Sequence, residues 1–142
     1  MIGTIRLIPL GTGLAPCEAL LGKGIVAPAS MHTAAWEAGR LVLGPNYRAG
    51  PDLIRRCLFL TLLHLVRTVE IENLFASCTP LLGRLYRRFG FAVLVSDACR
   101  VGDESYSLIH GTVARVLFAL ADNDAERLLA TQALAAGQQE LP

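Results

Sequence analysis

Charge is what this sequence has least of. Only 18% of its residues are charged against 53% hydrophobic, and the formal net charge is +1. A balance so near neutral gives no electrostatic footprint for nucleic acid. Paired cysteines are missing as well. Cys17, Cys57, Cys78 and Cys99 are scattered, with no C-x-x-C pair and no histidine at ligand spacing, so no zinc motif is present and all four read as reduced core thiols. The longest apolar run, around CLFLTLLHLV, contains His64 and is bounded by Arg55, Arg56 and Arg67. It falls short of the roughly 20 residues that a membrane span requires. The N-terminus shows no basic region followed by an apolar core and a cleavage site, and a cytoplasmic protein is expected. Internal repeats, low-complexity linkers, a P-loop and a dinucleotide fingerprint are absent too.

What is present is apolar surface in excess. A chain of 142 residues accommodates one domain with a substantial core, and its mean hydropathy of +0.46 is high for such a chain. Either the interior is large for its surface, or apolar surface is covered by a partner, a ligand or a further segment.

The pass along the chain begins with a strand. GTIRLIPL, residues 3–10, is β-branched and apolar apart from Arg6, and is closed by Pro9 and Gly11. A charge in such a run needs either solvent on its face or a fixed anionic partner. A long Gly-, Ala- and Pro-rich loop follows, and then WEAGRLVL, from Trp36 to Leu43, forms a second strand ending in a Gly44-Pro45-Asn46 turn. PDLIRRCLFLTLLHLVRT, residues 51–68, is the clearest helix: Pro51 suits its first turn, Asp52 its positive end, and few polar residues interrupt its circumference. IENLFASC is a core strand. Thr79 and Pro80 open a helix that Gly90 ends, FAVLVSD is a strand, ACRVGDE a turn-rich connection, and SYSLIHGTVARVLFAL a strand passing into helix. Asp122 or Asn123 caps a C-terminal helix and tail, 122–142. Strands alternating with helices point to an α/β fold with a mixed sheet. Of the histidines, His32 falls in a loop, His64 on a helix surface and His110 within a strand.

Two stretches could carry chemistry. In RLVLGPNYRAGPDL a helix N-terminus, an anion site by its free N–H groups and dipole, follows directly on Arg48 and Gly50. In LYRRFGF a helix hands over to a strand at Gly90, placing Tyr86 about one turn before the exit. A tyrosine there could protonate a leaving thiolate, or simply pack with its hydroxyl satisfied.

A strand ending in an Arg and Gly turn, a helix, a strand, and a helix ending in Tyr-x-x-x-Gly-Phe together resemble the GNAT superfamily of N-acyltransferases. The resemblance implies a GNAT-like mixed sheet with helices on both faces. It also implies a pyrophosphate loop at Tyr47-Arg48-Ala49-Gly50, a β-bulge near Val42 and Leu43 whose main-chain amides polarise the thioester carbonyl, and Tyr86 as general acid. The family loop is Gln/Arg-x-x-Gly-x-Gly/Ala, whereas here Arg48-x-Gly50 meets Pro51, which lacks one N–H donor. GTIRLIP followed by WEAGRLVL resembles, more narrowly, the acyl-homoserine lactone synthases and the long-chain N-acyl amino acid synthases. Their pattern is Gly-x-x-Arg-Leu-hydrophobic-Pro on one strand and Glu-x-x-Arg-hydrophobic on the next, matched here by Arg6, Glu37 and Arg40.

In such enzymes Glu37 would be the general base, Arg6 its partner across the strands, and Arg40 a structural residue shaping the acceptor side. The resemblance begins in the middle of the family's domain. It therefore implies an N-terminally truncated, partial domain over 1–142, with apolar surface left to a homodimer contact. The expected activity is transfer of an acyl group from an acyl-CoA or acyl-carrier-protein thioester to a small-molecule amine, of amino acid or S-adenosylmethionine type, without metal or nucleic acid. The alternatives are an inactive remnant serving as an acyl-carrier or acyl-chain binding module, and an unrelated α/β binding protein.

Overall fold

The computed structural model describes residues 3–11, 29–44 and 51–139. Five strands form one sheet: β1 (Gly3–Pro9), β2 (Ala35–Leu43), β3 (Asn73–Cys78), β4 (Ala92–Val101) and β5 (Glu104–Thr112), in the spatial order β1-β2-β3-β5-β4. β2 and β3 are parallel and every other neighbouring pair is antiparallel, so the sheet is mixed, as expected. Four helices accompany it: α1 (Pro51–Thr68), α2 (Pro80–Arg88), α3 (Val113–Leu120) and α4 (Asp124–Gln139), with a short 3₁₀ turn at Ala29–His32.

The crossovers β2–α1–β3 and β3–α2–β4 step the same way across the sheet. Right-handed connections of that kind lay both helices on one face. The packing agrees: Phe59, Leu62 and Leu63 of α1, Val116 and Leu117 of α3 and Ala130 and Ala133 of α4 share one buried cluster with Leu74, Ala76 and Ile109 of the sheet, and Leu85 and Tyr86 of α2 pack against it. Among the described residues the four α-helices cover one face. The opposite face is a smaller cluster of Ala35, Phe75 and Leu108, joined by Met31 of the 3₁₀ turn.

Local chemistry explains the boundaries. Pro51 opens α1, and Pro80 opens α2 behind Thr79, whose backbone is extended and whose carbonyl accepts from Gly83 N at 2.9 Å. α2 ends at Gly90, which takes φ +89; a Cβ there would stand 3.0 Å from the Arg115 carbonyl oxygen, so glycine is needed for conformation and for space. The passage of the last strand into helix is real, capped at Thr112, whose hydroxyl accepts from Arg115 N at 3.3 Å. Of the two candidate caps for α4, Asn123 does the work: its Oδ1 accepts from Glu126 N at 2.8 Å.

One local expectation is corrected. ACRVGDE is not a turn-rich connection, because β4 runs on to Val101 and pairs Cys99, Arg100 and Val101 with β5. Its polar, irregular look comes from bulges between Val93 and Cys99, where Asp97 takes φ +50 and accepts a hydrogen bond from the Ser105 hydroxyl. Arg55 of α1 turns inward. Its side chain is 14% exposed and donates to the Leu120 carbonyl at the end of α3 and, at 3.3 Å each, to Asp52 and Glu126. It ties α1, α3 and α4 together.

Candidate functional site

β2 and β3 are hydrogen-bonded over three residue pairs only, Ala35 to Asn73, Trp36 to Leu74 and Glu37 to Phe75. Beyond Glu37 both strands continue but no longer pair, so the sheet opens in a V between the rest of β2 and Ala76–Cys78. On the outer side, β2 carries a bulge. β1 advances two residues from Thr4 to Arg6 while β2 runs three, from Val42 back to Gly39, leaving Arg40 and Leu41 together opposite Ile5. The bulge therefore lies immediately before Val42 and Leu43, which continue β2 beyond it.

Under the V, on the helical face, lies a cavity of about 540 Å³. Ala38 and Leu41 of β2, Ala76 and Cys78 of β3, Leu58 of α1 and Tyr86 of α2 contribute to its wall, which is overwhelmingly apolar. Tyr86 stands edge-on to Phe91, with ring centroids 5.6 Å apart. Burial first, and the nearby Cys78 second, push its phenol above the ordinary value of 10.0; burial pushes the Cys78 thiol above 9.0. Both groups hold their protons at neutral pH, and a tyrosine that holds its proton is suited to donate one.

Glu37 is at the apex of the V and only 4% exposed. Its register partner is Phe75 of the smaller cluster, so its side chain belongs to the face opposite Tyr86. The two expected catalytic groups flank the opening from opposite sides of the sheet. Arg6 shares the face of Glu37, being in register with Gly39, and its guanidinium lies 3.7 Å from the point a Cβ of residue 39 would occupy. The expected ion pair between Arg6 and Glu37 is not among those found between described residues. Arg40 lies in the bulge. Tyr47, Arg48, Ala49 and Gly50, the expected pyrophosphate loop, lie outside the described residues, directly before α1 in the sequence.

Sequence reasoning missed three groups. Cys78, read as a core thiol, lines the cavity beside Tyr86. His110, for which no partner could be named, hydrogen-bonds through Nε2 to Asn73 Oδ1 at 2.8 Å, and burial holds its pKa below 6.5. The signal for this pair was the antiparallel register of β3 and β5, which the residue pattern alone does not contain. Among the described residues no three His, Cys, Asp or Glu side chains converge on a metal position, and no helix is long and apolar enough to cross a membrane.

No family model and no curated protein sequence matches the chain. Solved structures do. The AHL synthase LasI superposes with a TM-score of 0.61 at 20% identity, over 84% of this chain and 62% of that one. TofI, in a ternary complex with an inhibitor and MTA, gives 0.62 at 18% identity over 88% and 65%. FeeM, an N-acyl amino acid synthase from uncultured soil microbes, gives 0.62 at 17% identity over 83% and 68%. The chain spans less than two thirds of the length of LasI and of TofI. At such identities what is shared is the fold, and this chain has the fold of these synthases.

Proposed function

We propose that the protein is an N-acyltransferase that moves an acyl group from a thioester donor to a small amine. The observation that carries this reading is the V that opens beyond Glu37 and Phe75 onto an apolar cavity with Tyr86 in its wall. A thioester carbonyl seated in the V places its acyl chain in the cavity on the helical face and leaves the other face for the amine. Glu37 takes the proton from the attacking nitrogen as the C–N bond forms. Main-chain amides near Val42 and Leu43, freed from the ladder with β3, stabilise the oxyanion. As the C–S bond breaks, the thiolate takes the Tyr86 proton. Arg6 and Arg40 shape the acceptor side, and Arg48 to Gly50 at the N-terminus of α1 receive the donor's phosphates.

The exposed face of α2 adjoins the cavity through Leu82 and carries Arg84, Arg87 and Arg88. That cationic surface suits either the phosphates of acyl-CoA or the acidic surface of an acyl carrier protein. Pro51 at the start of α1 removes one N–H from the donor loop, which favours a second reading, a remnant that binds acyl chains without transferring them.

The test is mass-spectrometric detection of acylated amine after incubating the chain with acyl-CoA and acyl-carrier-protein donors and a pool of amino acids and S-adenosylmethionine. Product that disappears in Glu37→Gln and is reduced in Tyr86→Phe supports transfer. Saturable acyl-CoA binding with no product from either donor type supports the remnant.

A further inference from the structure

At the pole of the molecule away from the V, a second cavity of about 620 Å³ lies where the C-terminal end of α1 meets the start of β3. It shares no residue with the cavity under the V. Its polar wall is built around His110 and Asn73. Asn73 is 4% exposed, and its Nδ2 donates to the Thr33 carbonyl at 2.7 Å. A carbonyl oxygen only accepts, so the amide orientation is fixed and Oδ1 is the atom that meets His110 Nε2 at 2.8 Å. Nε2 must then carry the ring proton, which leaves Nδ1 as a lone-pair acceptor. The ring's position is also held by Phe75, whose centroid is 5.0 Å away. A neutral imidazole fixed in one tautomer within a cavity wall is an acceptor awaiting a donor.

The surroundings give the charge of that donor. Glu70 and Glu72 are among the residues lining the cavity, against Arg67 as the one arginine or lysine of the lining among the described residues. The carbonyl end of the α1 dipole points the same way. The remaining wall is apolar, with Val66, Ile71, Val113 and Leu134 among it. Acceptors, negative potential and apolar floor together exclude anions and suit an ammonium group on an apolar body. We propose that this cavity is a second ligand site, separate from the acyl cavity, for a small primary amine with an aromatic or aliphatic side arm. It stands whether or not the chain transfers acyl groups.

The experiment is a titration of the ¹⁵N-labelled chain with 2-phenylethylammonium up to about 10 mM, followed by amide chemical shifts. Saturable shifts are expected at Glu70, Glu72, His110 and Thr112, with Ala76 and Tyr86 unmoved. Neutral 2-phenylethanol should bind about tenfold more weakly, and the exposed double variant Glu70→Gln/Glu72→Gln should weaken the amine about tenfold, the value of a charge-assisted hydrogen bond. Equal affinity for the alcohol, unchanged affinity in the double variant, shifts centred on Ala76 and Tyr86, or no saturable shift each overturns the proposal.

Discussion

The two faces of the sheet are built on opposite plans. Under the helices, Phe59, Ile109, Val116, Leu117 and their neighbours form one continuous apolar cluster, with Tyr86 as a polar tip at its edge. The other face buries far less, and sets Glu37 and Asn73, the two buried polar side chains among the described residues, beside Phe75 and His110. Apolar burial is what stabilises a domain, whereas buried polar groups must be hydrogen-bonded or ionised at a cost. The first face therefore holds the fold, the second carries the buried polar side chains, and the V is where a molecule can touch both.

That division can be broken most sharply at Glu37. Glu37→Gln keeps shape while removing the proposed base, and acyl transfer is expected to fall by about 10²- to 10⁴-fold in kcat/KM with little change in Tm. A large fall in Tm with transfer intact would reverse the assignment of the two faces. Phe59→Ala is the converse substitution on the helical face. Phe59 is 1% exposed, and its truncation should lower stability by about 3–5 kcal/mol in denaturant unfolding, near the whole margin of a small domain.

Gly90→Ala comes next. A side chain there meets both a left-handed backbone and the Arg115 carbonyl, so a loss of about 1–3 kcal/mol is expected. Gly102→Ala provides the control, because φ is +61 but nothing lies within 4 Å, and about 1 kcal/mol should be lost. Equal effects at the two sites would mean that contact with the α3 backbone is unimportant.

The smallest effect is expected from pH at His110. Burial lowers its pKa below 6.5, so the fold favours the neutral ring. Its contribution is complete above the ordinary value and is lost as pH falls through the folded one. Tm measured from about pH 7 down to about pH 5 should drop, and His110→Gln should flatten that slope. A slope unchanged by the substitution would assign the pH response to other groups.

Much of this was legible in the residues. Pro51, Thr79 with Pro80, Gly90 and Asn123 mark helix ends by local backbone chemistry that needs no tertiary partner. The pairing of GTIRLIP with WEAGRLVL pointed to two neighbouring strands and to the fold. The bulge before Val42 fell close to where the resemblance put it. Other features were not legible, and for one reason. That Glu37 and Tyr86 flank the V from opposite faces, that Arg6 passes over Gly39, that Arg55 turns inward to three helix ends, and that Asn73 fixes His110 all depend on strand register and crossover handedness. These are set by the packing of the whole sheet, not by any short window of sequence. The sequence by itself determined most of the strands and helices and where the helices stop, though not the run of β4 to Val101, because caps, turns and periodicity act over a few residues. The tertiary structure alone decided which side chains face one another, because a shift of one residue in register moves every side chain of a strand to the other face.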